Sequence, residues 1–171
     1  MADDRAPDLA ALRRLNDSGY LYYRDPKRVR ADDLMVRAGA ADCLHRAAAL
    51  LALAEQKLRR AIPAPSRETP FPDPALLAAA RGLKALQERI ATLETRLRGA
   101  AALPDRDFSA IAPTEDLRNR LIGLDAELVG HAAAVETAAS GEADLSFSAL
   151  LDALAQAIDD RSKLAGWGRA A

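Results

Sequence analysis

Between residues 74 and 100 the chain repeats itself every seven positions. Leu76, Leu83, Ile90 and Leu97 mark one series, with Ala79, Leu86, Leu93 and Ala100 between them. Apolar residues spaced alternately three and four apart make the a/d seam of helices that pack lengthwise, as in coiled coils and four-helix bundles. Lys84, Glu88, Arg89, Arg96 and Arg98 fill most of the remaining surface. Such a helix needs a partner, from this chain or another. Asp73 is placed to cap it, and Pro74 fits its first position, where a missing N–H is no loss.

The rest of the sequence extends this pattern. Aromatic residues are only 4% of the chain, while Ala, Leu and Arg, which lose little on entering a helix, are abundant. The reading is an all-α fold, a helical bundle of four longer helices plus one short N-terminal helix, with coiled-coil-like packing. We expect a single domain over 1–171, with bundle helices at 32–61, 74–101, 114–139 and 145–165. Residues 1–31 hold the short helix, about Asp8 to Asn16, and a Tyr/Arg segment.

In the 32–61 helix the stripe is Val36, Ala40, Cys43, Leu44, Ala47, Leu50, Leu51, Ala54 and Leu58. Opposite it lie Ala38, Ala41, Ala48, Ala49 and Ala52, which suit either a closely packed backbone or a solvated face. The 114–139 helix carries Leu117, Leu121, Leu124, Leu128, Ala132, Val135 and Ala139, with Thr114 as its N-cap. The last helix carries Phe147, Leu151, Leu154 and Ile158. The short connection SGEAD forces these two into an antiparallel hairpin.

Residues 62–73 form a Pro-rich linker. The stretch IPAPSRETPFPDP holds five of the nine prolines and is stiff and extended. Twelve such residues reach roughly 37 Å, so the helices they join need not be antiparallel neighbours. Phe108 and Ile111 are expected to anchor the next joint, and Trp167 to cover one end of the bundle.

Several kinds of chemistry find no support. The net charge is −1, from 24 basic and 25 acidic residues, which lacks the footprint of a general nucleic-acid binder. The single cysteine, Cys43, excludes an intrachain disulfide and reads as a small buried hydrophobe. The start MADDRAPDLAALRRL does not resemble a secretory signal, and no run approaches the roughly 20 apolar residues that span a bilayer. A cytoplasmic location is the expectation. No Glu-x-x-His occurs; Glu127 and His131, four apart, read as an ordinary helix-surface pair. Cys43 and His45 lie about 200° apart on a helix and cannot share a metal. His45 reads as a solvated or interface histidine. No G-x-S-x-G, Walker-type or G-x-G-x-x-G pattern is present. The acid pairs Asp32-Asp33 and Asp159-Asp160 fall at helix ends and are expected to face water. We expect no catalytic residue, no cofactor and no metal.

One segment draws attention as a surface. Residues 19–30 read GYLYYRDPKRVR, holding all three tyrosines. The candidate partner-binding residues are Tyr20, Tyr22, Tyr23, Arg24, Lys27, Arg28 and Arg30. The rings either plug the bundle end, form a protein-binding hot spot with the arginines, or stack on nucleotide bases. The expected function is non-enzymatic: a protein–protein interaction or assembly protein such as an adaptor, scaffold or dedicated chaperone. Its partner is another protein, and homo-oligomerisation is open because the seam and the alanine face suit a second copy. The alternative is a small-molecule or nucleic-acid-binding helical domain using segment 20–30.

Overall fold

The computed structural model describes residues 23, 25, 27–64, 67, 70–100, 103, 115–141 and 145–166. Among them are four helices and no strand: α1 (Val29–Ala61), α2 (Pro74–Gly99), α3 (Glu115–Ala139) and α4 (Leu145–Gly166). All the expected bounds lie within three residues of these. The short helix expected at 8–16, the anchors Phe108 and Ile111, the cap Thr114 and Trp167 lie outside the described residues. None of the described helices is long and apolar enough to cross a membrane.

Local chemistry starts the helices. The Asp73 carboxylate accepts the Ala75 N–H at 2.8 Å, with Pro74 in the first turn of α2. Before α1, Asp25 folds the chain into a turn. Its side chain accepts the Lys27 N–H at 2.9 Å and its carbonyl accepts the Arg28 N–H at 2.9 Å. Asp followed by Pro is suited to such a turn.

The contacts between the helices are those of a bundle. Arg37, near the start of α1, meets the carbonyls at the end of α2, while His45 lies opposite Glu94. These pairings run in opposite senses, so α1 and α2 are antiparallel neighbours. The linker therefore joins antiparallel neighbours instead of crossing the bundle, because α1 from Val29 to Leu51 and α2 from Ala80 to Leu97 bury their apolar residues together. Arg46 pairs with Glu136 at 2.5 Å, and Asp33 shares Arg161 with Asp125, which sets α3 parallel to α1. The α3–α4 hairpin is antiparallel, as the short connection requires. Arg96–Asp159 at 2.5 Å and Arg89–Asp152 tie α2 to α4, which run parallel. The result is two antiparallel hairpins side by side.

One apolar core joins them. Val36, Leu44 and Leu51 of α1, Ile90, Leu93 and Leu97 of α2, Leu128 and Val135 of α3, and Phe147, Leu151 and Leu154 of α4 are all buried. The α2 seam is unevenly used. Ile90, Leu93 and Leu97 are in the core, Leu83 and Leu86 are partly buried against it, Leu76 is half-buried and Ala79 is exposed.

Candidate functional site

Two features stand out against this core: a buried cluster of charges at one end, and an exposed apolar face along α1.

The cluster contains Tyr23, Asp32, Asp33 and Arg37 from the start of α1 and just before it, Asp125 from α3 and Arg161 from α4. All six are buried. Arg161 divides its guanidinium between two helices. Its Nε donates to Asp125 Oδ1 at 2.5 Å and its terminal nitrogen to Asp33 Oδ1 at 2.7 Å. Asp33 Oδ2 accepts from Arg37 at 2.8 Å and from the Leu103 N–H at 3.3 Å. Arg37 in turn donates to the Ala100 carbonyl, with Leu97 O at 3.5 Å. The last carbonyls of a helix have no partner within it, so Arg37 closes the end of α2.

Tyr23 is the N-terminal anchor of this cluster. Its hydroxyl donates to Asp125 Oδ2 at 2.5 Å and its backbone N–H donates to Asp32 Oδ2 at 3.0 Å. The residue is 3% exposed. Its φ of 59° is left-handed, an arrangement that costs a residue other than glycine about 1–2 kcal/mol. The two hydrogen bonds and the burial of the ring offset that cost.

Electrostatics follow from burial. Three carboxylates face two guanidiniums here, and an isolated buried charge is costly, so extra donors from Tyr23 and Leu103 are needed. Burial pushes the Asp125 carboxyl up, against the pull of Arg161 and the Tyr23 hydroxyl. Burial and the neighbouring Asp125 hold the Tyr23 phenol far above its ordinary value, so it remains a donor. Burial works against the charge on Arg161, but Asp125 and the other groups around it together outweigh that and hold the guanidinium above its ordinary value. The cluster is thus a hydrogen-bonded lock between all four helices and the segment before α1.

The acid pairs expected to face water therefore divide. Asp159 and Asp160 are half-exposed, whereas Asp32 and Asp33 are buried. The reason is the pair of arginines, Arg37 and Arg161, delivered to the same end by α1 itself and by α4. The sequence reading missed this cluster, although a signal was present. Leu121, Asp125, Leu128, Ala132, Val135 and Ala139 alternate four and three apart, as do Phe147, Leu151, Leu154, Ile158 and Arg161. Asp125 and Arg161 thus stand in apolar stripes. The expected stripe took Leu124, which is half-buried, in place of Asp125.

Of the candidate partner-binding residues, Tyr23 lies in the cluster, and Lys27, Arg28 and Arg30 are exposed beside it. Tyr20, Tyr22 and Arg24 lie outside the described residues. Glu127 is exposed and His131 half-buried. Among the described residues, no group of three or more His, Cys, Asp or Glu side chains is arranged to hold a metal ion. Cys43 is buried, and burial pushes its thiol up to about 11, with Glu136 adding to the effect.

The second feature is the outward side of α1. The alanine face is split: Ala41 is buried and Ala48 packs against the core, while Ala38, Ala49 and Ala52 are exposed. Leu34 and Leu53, 47% and 55% exposed, share that outward side. His45, 74% exposed, stands between them, with Nδ1 4.0 Å from Glu94. Polar ties bound the strip, Arg98–Asp42 at 3.0 Å towards α2 and Arg46–Glu136 towards α3.

Compared with known proteins, the chain matches no family model, no curated protein and no solved structure.

Proposed function

We propose that this chain is a non-enzymatic interaction or assembly protein, and that the outward side of α1 is its working surface. One observation carries the reading. Leu34 and Leu53, two large apolar side chains left exposed, lie on one side of one helix, with Ala38, Asp42, His45, Ala49 and Ala52 between them and Arg46 at the edge towards α3. Single exposed leucines need no explanation, but two of them at the ends of a helix face made mostly of small residues suit a helical partner. Small side chains let that partner's backbone approach, and Leu34 and Leu53 would anchor it at either end. Tyr23, turned into the polar cluster, has no face left to stack on a base, which weighs against a nucleotide site built on that ring.

The reading is tested with a photo-crosslinking amino acid placed at Ala49, and at Lys84 on the exposed side of α2 as a control. Adducts with protein from the Ala49 variant, absent from the Lys84 variant, are the expected result. Adducts from neither position, or equally from both, would overturn it. Association through this face should also survive raised salt, whereas binding to phosphates would weaken steeply.

A further inference from the structure

Resting on the reading of α1 as the working surface, we infer that its partner there is a second copy of this chain, packed antiparallel on the same face. Within that outward side, with Ala52 left beside it, a strip one residue wide reads Leu34, Ala38, Asp42, His45, Ala49, Leu53. Its spacings are four, four, three, four and four, the same in either direction. The strip is thus symmetric about the point between Cys43 and Leu44. If two copies of α1 cross antiparallel at that point, Leu34 faces Leu53 of the other copy, Ala38 faces Ala49, and Asp42 faces His45. Each pair occurs twice, as a two-fold interface requires.

Within these six positions the pairing is complementary, while one step beyond each end Arg30 faces Lys57 of the other copy. The leucines at both ends lie against leucines. The alanines lie against alanines, where two backbones can approach closely. At the centre a carboxylate meets an imidazole, which can donate to it, so the only polar groups in the strip meet each other. The geometry also fits. Leu34 to Leu53 is five steps over 19 residues, or 3.8 per step, so the strip follows the i±4 ridge of the helix. Packing of such ridges against one another is the commonest helix-to-helix arrangement. Arg98 holds Asp42 from α2 and Glu94 lies opposite His45, and the two central side chains, Asp42 and His45, remain 49% and 74% exposed.

The test uses the purified full chain. Light scattering should give twice the 18.3 kDa of one chain at micromolar concentration. Ala49→Glu, which sets a charge between the facing alanines, should return the mass to that of one chain with the helical circular-dichroism signal unchanged. The register is read separately, in a Cys43→Ala background. Ala38→Cys combined with Ala49→Cys should form a covalent dimer on mild oxidation. Either cysteine alone should not, because identical positions lie 11 residues apart in this register, roughly 16 Å along the axis. A disulfide needs Cβ atoms about 4 Å apart. A single-chain mass at all concentrations overturns the inference, as does a dimer whose single cysteines link as readily as the pair. A single-chain mass alongside an Ala49 adduct to a different polypeptide would overturn self-association and leave the interaction reading standing.

Discussion

Arg161 faces two carboxylates, Asp33 and Asp125, that belong to two other helices. Removing one partner of a buried ion pair leaves the other desolvated and unpaired, at a cost of about 3–5 kcal/mol. Here one guanidinium serves two carboxylates, so the loss is at least of that order. We expect Arg161→Met to lower the unfolding free energy by about 4 kcal/mol, read from urea melts. A loss below about 1 kcal/mol, the size measured for exposed ion pairs, would mean that the cluster is open to water. Asp33, Asp125 and Arg161 stand at positions where the stripes call for apolar side chains. From one helix at a time each looks like a defect in the pattern. Only the pairing order of the helices brings the three to one end, and nothing in a linear pattern states that order.

At the scale of elements, the helices themselves were legible. The seven-residue repeat of α2, the Asp73-Pro74 start and the short connection before α4 fix where helices begin, end and turn back. What each face meets was less so. The linker's reach left the α1–α2 pairing open, and the alanine face of α1 gave no sign that Ala41 turns inward while Ala49 turns out. A repeat says which side of a helix is apolar, but not how far along its length the neighbours cover it. The α2 seam shows the consequence, since Leu97 is buried and Leu76 only half so. Leu97→Ala should therefore cost about 2–5 kcal/mol, and Leu76→Ala about 1 kcal/mol or less. Denaturation midpoints of the two variants check this gradient; equal losses would mean that the seam is covered along its whole length.

For the whole molecule, the polar cluster and the outward strip are complementary parts of one arrangement. The cluster ties the segment before α1 to α2, α3 and α4, and so fixes which side of α1 faces inward. What remains outward is the strip from Leu34 to Leu53. The Tyr/Arg segment thus enters the account at Tyr23 as an anchor, which the sequence left undecided among packing, partner binding and base stacking. That assignment decides the division between a tied interior and an outward face. The thermal midpoints of Tyr23→Ser and Phe71→Ser test it most directly, because Phe71 is an aromatic residue at the opposite extreme, 84% exposed. Loss of the Tyr23 ring and hydroxyl, at about 3–5 kcal/mol, should lower the midpoint by roughly 10 °C. Phe71→Ser should leave it within about 2 °C. An unchanged midpoint for Tyr23→Ser, or a larger fall for Phe71→Ser, would contradict the account.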